Sequence, residues 1–303
     1  MTATPLTKET ADANATAIAD AAVASPASPR RGRVRWRGLP RSLQAGVVLS
    51  GVLVTVSVAA RIRTPHSPTR TGVGPPFESP SSTFLFGTDQ VGSDVFSRTF
   101  TAGLTDIGIT LIGVAVAFVV GTSLGAIAGF VGGIVDAIAM RVSEILQSFP
   151  ALLLAMLMAS VLGGGLLNVV IVVAVLGIPG YLRLARAEIM SKKELEFSDA
   201  ARLMGNRPGG VLFRHLLPNS LAPVISFTAI NASWVAILVS SLGFVGVGIE
   251  PGTPEWGSMV ASGRNQINAW WVSFFPGIAI LLLALALFLL GDGVSDLKAR
   301  RKW

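Results

Sequence analysis

Residues 145–182 read ILQSFPALLLAMLMASVLGGGLLNVVIVVAVLGIPGYL, and none of these 38 residues carries a charge. A bilayer core is crossed by about 20 apolar residues in a helix, at about 1.5 Å of rise per residue. The stretch is therefore too long for one crossing. Three consecutive glycines, Gly163 to Gly165, interrupt it, and Pro179 does so again. The pattern predicts two membrane-spanning helices that meet at the glycines.

Four more uncharged runs lie on either side of this stretch, at 42–60, 107–135, 216–249 and 265–291. Each suits one crossing, so we predict an all-α membrane protein with six transmembrane helices. Hydrophobic residues make up 51% of the chain and charged residues 14%, whereas a soluble domain has about 25% charged residues. A membrane β-barrel is disfavoured because its strands are about 10 residues long and alternate in polarity, which these runs do not.

The formal net charge is +7, which in a soluble protein would suggest nucleic acid as a partner. With six spans and both termini in the cytosol, however, 19 of the 24 Lys and Arg residues fall in cytosolic tails and loops. The five that fall outside are Arg61, Arg63, Arg70, Arg98 and Arg264. This is the positive-inside pattern. The basic charge therefore indicates orientation in a lipid bilayer, and we predict no nucleic-acid partner.

Several kinds of functional site are excluded by residues that the sequence lacks. There is no cysteine, and the two histidines, His66 and His215, lie in separate polar segments. No H-E-x-x-H motif and no carboxylate cluster with metal-ligand spacing occurs. A G-x-x-x-x-G-K-[ST] phosphate loop is also missing. We therefore predict a chain that is not itself an enzyme and has no ATP site, cofactor or metal of its own.

The domain organisation follows from the apolar runs. The first run is too long for a cleaved signal sequence and is interpreted as a signal anchor. We expect a disordered basic cytosolic tail (1–41), a first transmembrane helix (42–60), an external segment with an amphipathic helix (61–106), a five-helix core with a cytosolic loop at 183–218 (107–297), and a basic cytosolic tail (298–303).

The amphipathic helix of the external segment is predicted to start at Asp94, a plausible N-cap. Val95, Phe96 and Phe100 give it an apolar face. Two interpretations stay open. The helix lies on the membrane surface, or it forms a lip over the external mouth of a pore.

The loop at 183–218 is long and basic, whereas the other loops are short. Ser191 and Glu194 have the spacing of a capping box, which predicts a helix start. The helix that follows has one apolar stripe, formed by Phe197, Ala200, Ala201 and Met204. Gly205 is typical of a helix end. Such a helix either rests on lipid or docks a cytosolic partner.

Gly121, Gly125 and Gly129 repeat the G-x-x-x-G spacing twice. Small residues at this spacing let two membrane helices approach closely. The glycines are interpreted as a packing face within the chain, with a seam between subunits as the alternative.

Few charges lie near the membrane. Asp136, Arg141 and Glu144 occur near the cytosolic end of the third span, and Arg141 and Glu144 are helical neighbours. They are interpreted as a solvated ion pair, with a role in an inner gate as the alternative.

The loop at 183–218 also carries a recognisable motif. Asp199-Ala200-Ala201 with Gly205, followed by Leu217-Pro218, resembles the loop motif of ABC importer permeases, which has Glu in place of Asp199. The resemblance implies a coupling helix that sits in a groove of a cytosolic ATPase. The residues implied in this coupling loop are Glu196, Asp199, Ala200, Ala201, Gly205, Leu217 and Pro218.

Other stretches, in the order expected, narrow the resemblance to the dipeptide, oligopeptide and nickel branch. Residues 85–98 are similar to its L-G-T-D-x-x-G-R-D-V-x-S-R stretch, from which Phe86 and Ser93 depart. Further similar stretches are 150–155, 214–219, 241–248, 255–257, 263–264, 269–271, 275–277 and 291–293. The resemblance covers 84–297 and points to the C-type, second permease subunit, although the branch's closing Asp-Pro-Arg is absent.

The resemblance implies a pore-forming subunit of a bacterial cytoplasmic-membrane importer, most often of di- or oligopeptides, with nickel complexes or haem-like solutes as alternatives. The implied partners are a homologous second permease, one or two ATPase subunits that hold ATP and Mg, and an extracytoplasmic solute-binding protein. Residues 84–106 and 246–268 would form an external mouth that receives the solute. The residues implied there are Gly87, Thr88, Asp89, Gly92, Asp94, Trp256 and Gly257.

Two other classes of protein fit the sequence less well. An ion-coupled secondary transporter usually needs ionisable groups at the midplane of the membrane, and mid-span carboxylates are missing. An intramembrane enzyme needs a nucleophile and a base, and Ser240 and Ser241 have no His or Lys beside them.

The charge distribution gives a topology that reporter fusions can test. We expect a reporter at Thr71 to be extracytoplasmic and one at Lys302 to be cytosolic, because the positive-inside pattern orients all six spans together. A cytosolic reporter at Thr71, or an extracytoplasmic one at Lys302, would contradict the predicted topology.

Overall fold

The computed structural model describes residues 38–247, 250 and 252–300. Regular structure in these residues is helical, apart from one isolated antiparallel bridge between Thr88 and Asp94. The all-α prediction is thus confirmed. Of the predicted N-terminal tail (1–41), residues 1–37 lie outside the described residues. Of the predicted C-terminal tail (298–303), residues 301–303 lie outside them.

We number nine helices along the described residues. They are α1 Arg41–Ile62, α2 Val95–Val131, α3 Gly133–Ser148, α4 Ala151–Leu162, α5 Leu166–Lys192, α6 Glu196–Leu203, α7 Leu217–Val245, α8 Trp256–Gly263 and α9 Trp271–Arg300. A short turn at Pro208–Gly210 and a π-helical turn at Val211–Leu216 lead directly into α7.

Five of the helices are long and apolar enough to cross a membrane: α1, α2, α5, α7 with its two preceding turns, and α9. The consecutive helices α3 and α4 pass the same test only together, and they are bent by 96° at the break between them. The described chain has the predicted six spans if this bent pair counts as one.

The sequence predicted one membrane-spanning helix in the first half of 145–182. The bend between α3 and α4 shows that this prediction is wrong. Phe149 is extended, with φ −92° and ψ 141°, as is favoured for a residue that precedes a proline. The helix therefore stops at Ser148 and resumes after Pro150. The 12 residues of α4 span only about 18 Å at 1.5 Å per residue, which is too short for a crossing.

The three glycines act as the sequence predicted, but the proline does not. α4 ends at Leu162 and α5 begins at Leu166, so Gly163 to Gly165 separate two helices. Pro179 lies inside α5 without ending it. A proline in a membrane helix is tolerated where neighbouring helices and local adjustments satisfy the freed backbone groups.

α2 is one continuous helix of 37 residues, so the separate amphipathic helix predicted before position 107 is wrong. Asp94 caps α2 as predicted, because its Oδ2 accepts a hydrogen bond of 3.1 Å from the backbone N–H of Ser97. No proline follows within α2, so the helix that starts there continues into the apolar run. Its length of about 55 Å exceeds the bilayer core of about 30 Å, so part of α2 projects from the membrane.

The glycine face of α2 packs inside the chain, against the backbone of α5. A Cβ atom added to Gly121 would lie 2.7 Å from the carbonyl oxygen of Ile178, and one added to Gly129 would lie 2.7 Å from that of Arg186. Between them, a Cβ on Gly125 would collide with the carbonyl group of Leu182. This supports the interpretation of the glycines as a packing face within the chain.

We expect Gly125→Ala to destabilise the protein by about 1–3 kcal/mol, because the added methyl group forces α2 away from α5. Gly108→Ala is the matched control on the same helix, since no atom lies within 4 Å of the added Cβ. Thermal unfolding in detergent measures both. Equal midpoints for the two variants would contradict the close helix contact.

Candidate functional site

The predicted coupling loop begins later than the sequence suggested. α5 continues through Lys192, and the backbone N–H of Lys193 still donates to the carbonyl of Ile189 at 2.9 Å. Ser191 therefore lies inside α5, where its hydroxyl donates to the carbonyl of Glu188. The predicted capping box of Ser191 and Glu194 is wrong, and α6 begins at Glu196.

Helix α6 is held to the rest of the chain by one narrow face. Ser198 and Ala201 are buried, with exposed fractions of 0% and 1%. Ala201 belongs to an apolar cluster with Ile189 of α5 and with three residues of the π-helical turn. Those three residues are Val211, Leu212 and Leu216. The cluster fixes α6 to α5 and to the turn before α7, at the end of the bundle that is predicted to face the cytosol.

The apolar stripe predicted on α6 is not a buried stripe. Of its four residues only Ala201 is buried, whereas Phe197, Ala200 and Met204 are exposed. The neighbouring Leu203 is also exposed, by 88%. We call Phe197, Ala200, Leu203 and Met204 the exposed α6 face. These side chains find no cover within the described residues because the anchoring cluster includes only Ala201 from the short helix.

Gly205 ends this part of the chain as predicted. Its φ is +79°, in the left-handed region, and no atom lies within 4 Å of the position of an added Cβ. The glycine is therefore required by backbone conformation and not by space. The side chain of Asn206 then donates to the carbonyl of Ala201 at 2.8 Å, which closes the end of α6.

The distal Leu-Pro part of the motif lies at the start of α7. Leu217 is half-buried and packs against the α6 cluster, whereas Pro218 is exposed. The next residue, Asn219, accepts a hydrogen bond of 3.0 Å at its carbonyl from Lys192 Nζ. The structure thus brings α5, α6 and the start of α7 together. Glu196 and Asp199 lie on the exposed side of α6.

An ion pair that sequence reasoning missed joins α3 to α5. Arg186 donates two hydrogen bonds to the carboxylate of Asp136, and the bond from Nη2 to Oδ2 measures 2.6 Å. The partners are 50 residues apart in sequence, so no local spacing could reveal the pair. Arg141 and Glu144 form the expected exposed pair at 3.3 Å, with side chains 77% and 56% exposed.

At the N-terminal end of α2, the predicted mouth residues mostly build the turn that precedes the helix. The hydroxyl of Thr88 donates to the carbonyl of Pro75 at 2.5 Å and accepts from the backbone of Glu78. Asp89 Oδ1 accepts from the N–H groups of Val91 and Ser93, each at 2.9 Å. Gly87 and Gly92 both have positive φ. These groups are thus used within the chain.

Two tryptophans connect this turn and α2 to the segment after α7. Trp256 is buried, and its indole N–H donates to the carbonyl of Thr99 at 2.7 Å. The indole N–H of Trp271 donates to the carbonyl of Thr88 at 3.2 Å. Gly257 packs against the backbone of Ser240 of α7 so closely that a Cβ would not fit. The two predicted mouth segments are therefore in direct contact.

A cleft of about 360 Å³ lies between these two segments. Asp89 and Arg98 line one side, and Glu250, Thr253 and Ser258 line the other. Arg98 Nε lies 3.7 Å from Asp89 Oδ2, and Arg98 Nη1 donates to the carbonyl of Pro68. Of the seven predicted mouth residues only Asp89 lines the cleft, and the other six are not among its lining residues.

In the described part of the chain, no three His, Asp or Glu side chains are grouped closely enough to hold a metal ion. Two features of the described chain remain as candidates for function: the exposed α6 face at one end of the bundle and the cleft beside Asp89 and Arg98 at the other.

Comparisons with known proteins identify the family of this chain. Residues 121–303 match the family described as "Binding-protein-dependent transport system inner membrane component". The chain is 36% identical to a probable D,D-dipeptide transport system permease protein of Escherichia coli, over 86% of this chain and 88% of that protein. It is 39% identical to a di/tripeptide transport system permease protein of Pseudomonas aeruginosa, over 72% and 73%.

A third relative agrees with these two. A dipeptide transport system permease protein of Alkalihalophilus pseudofirmus is 34% identical, over 83% of each chain. The family description and the names of these three relatives all refer to membrane components of transport systems. This agrees with the resemblance of the motifs at 199–219 and 85–98. The chain belongs to the inner-membrane permease family of binding-protein-dependent ABC importers, in its dipeptide and oligopeptide branch.

Proposed function

We propose that this chain is a pore-forming subunit of an ATP-driven importer of di- or oligopeptides in the bacterial cytoplasmic membrane. Family membership supports the importer, and the relatives' names concern dipeptides, D,D-dipeptides and di/tripeptides. The observation that carries the mechanism is the exposed α6 face. It presents apolar side chains on a short helix that is itself anchored to two membrane helices.

The exposed α6 face is proposed to sit in a groove of a cytosolic ATPase subunit. An apolar helical face that fits a groove is a common mode of recognition between proteins. Leu203 and Met204, 88% and 72% exposed, would lose contact with water there. Because Ala201 is held against α5 and the π-helical turn, a displacement of α6 would be passed to α5 and α7 and not absorbed in the loop.

A second, homologous permease subunit is the proposed partner within the membrane. A groove of about 450 Å³ opens between α2, α7 and α9, and its lining is almost entirely apolar. Leu111, Phe118 and Leu290 are among the residues that line it. One bundle offers one wall of a pathway, so two related subunits would enclose a pore between them.

The opposite end of the chain is proposed to meet an extracytoplasmic solute-binding protein. Residues 84–106 and the described residues around α8 form one connected surface there, held by the two tryptophan hydrogen bonds. ATP binding would close the ATPase subunits, move the docked helices, and switch the bundle between inward-open and outward-open states. Peptide released by the binding protein would then enter the pore.

Gly205→Val tests the coupling role of α6. Valine at positive φ is strained by about 1 kcal/mol or more, so the end of α6 should shift while the membrane helices stay folded. We expect normal membrane insertion and assembly, with loss of nearly all ATP-dependent peptide uptake. Uptake by reconstituted transporter at equal protein levels is the measurement.

Gly209→Val is the matched control, because Gly209 lies in the same loop, has no neighbour within 4 Å of an added Cβ, and does not have positive φ. It should retain uptake, and Asp199→Ala should reduce uptake less than Gly205→Val. Wild-type uptake by Gly205→Val would show that α6 is not the coupling element.

A further inference from the structure

Two buried carboxyl groups meet where α8 packs on α2. Asp106 of α2 is 1% exposed, and Glu255, the residue before α8, is 0% exposed. Both carboxyl groups accept hydrogen bonds from backbone N–H groups at the start of α8, so they lie side by side there. Neither belongs to the predicted mouth residues or to the coupling loop, so the proposed transport function leaves this pair unexplained.

Backbone N–H groups donate to three of the four carboxyl oxygens of the pair, and the fourth oxygen has no donor among the described residues. Glu255 caps α8, because its Oε1 accepts from the N–H of Gly257 at 2.6 Å and its Oε2 from that of Ser258 at 2.7 Å. Asp106 Oδ2 accepts from the N–H of Trp256 at 3.2 Å. Asp106 Oδ1 is buried and has no hydrogen-bond donor among the described residues.

Among the described residues, no positive charge faces the pair. α7 and α8 contain no charged residue, and α2 contains only Arg98 besides Asp106. α9, which also packs on α8, carries charged residues only from Asp292 onward, towards its C-terminal end. Arg98 is paired with Asp89 in the cleft. From α1, the side chain beside this site is the uncharged Ser57, which contacts Gly103 one turn before Asp106. Glu250 and Arg264, on either side of α8 in the sequence, are exposed, and Arg264 stands over the ring of Phe244.

We propose that Asp106 and Glu255 bind one proton between them, and that this proton-binding site fastens α8 and its tryptophan to α2. Two neighbouring carboxylates that are buried, with no cation facing them among the described residues, cannot both be ionised. A proton on either group supplies the donor that Asp106 Oδ1 lacks and leaves one negative charge. That charge is stabilised by the backbone N–H groups at the start of α8.

The pH dependence follows from the burial of the pair. Burial raises the pKa of Glu255, because the charged carboxylate is desolvated there. The folded protein then holds its proton more tightly than the unfolded chain does. The stability that the proton contributes is fully present in acid, below the ordinary pKa of a carboxyl group, and is lost as the pH rises through the raised pKa. α8 is therefore fastened most firmly at acidic pH.

Asp106→Asn tests this site in the whole transporter, purified in dodecyl maltoside, a detergent without ester carbonyl groups that would mask the infrared band of a carboxylic acid. The asparagine amide keeps the shape of the aspartic acid and donates to Glu255 without a proton. In the wild type, infrared spectroscopy at neutral pH should show the carbonyl band of a protonated carboxylic acid, and Asp106→Asn should lose this band. The wild-type melting temperature should fall as the pH is raised above the ordinary pKa range of carboxyl groups, and Asp106→Asn should show a clearly shallower fall.

Glu250→Gln is the matched control, since this exposed carboxylate lies five residues before Glu255. It should keep both the band and the wild-type pH dependence. Absence of a protonated-acid band in the wild type at neutral pH would overturn the proposal, and so would a band or a pH slope that Asp106→Asn leaves unchanged. Both readouts are independent of transport, so they test the proton site whether or not the proposed peptide import holds.

Discussion

The contact between the backbones of α2 and α5 is the interaction on which the rest of the structure depends. Gly121, Gly125 and Gly129 bring the two helices so close that no side chain fits between them. In a bilayer, helices gain little from burying apolar surface, because lipid is as apolar as a leucine side chain, and close packing of small residues takes over that role. The pair α2–α5 is therefore the rigid unit to which other elements attach.

Each member of this pair carries one functional end of the chain. α5 runs on to Lys192 and holds α6 through the cluster of Ile189 and Ala201. α2 starts far from there, at Val95, and holds α8 through Trp256 and through the carboxyl pair of Asp106 and Glu255. A movement imposed on α6 thus has a continuous, tightly packed route to the segment around α8, as a coupled transporter requires.

The sequence was sufficient for the parts of the structure that local patterns decide. The apolar runs, the break at Gly163 to Gly165, the cap at Asp94 and the turn at Gly205 all follow from the chemistry of neighbouring residues. The errors arose where one local signal outweighed another. The capping box at Ser191 was overridden because α5 continues its hydrogen bonds. The bend before Pro150 was missed because the apolar run continues through it, although the proline restricts the backbone of Phe149.

The contacts that the sequence could not reveal all join residues far apart in the chain. Asp136 and Arg186 are 50 residues apart, and Asp106 and the backbone of Trp256 are 150 apart. Nothing in the residues around Glu255 indicates that it will face another carboxyl group. Likewise, the two segments predicted to form the external mouth are in contact, but the side chains of the predicted residues mostly hold the turn before α2, and only Asp89 reaches the cleft.

We expect this chain to move solute only when ATPase subunits drive it. The decisive experiment is peptide uptake into proteoliposomes that contain the chain and its second permease. Uptake is compared with and without the ATPase subunits, and with either ATP or an ion gradient as the energy source. We expect uptake to require both ATP and the ATPase subunits, and we expect that an ion gradient cannot replace them. Uptake driven by an ion gradient without the ATPase subunits would show that the chain is not an ATP-driven importer subunit.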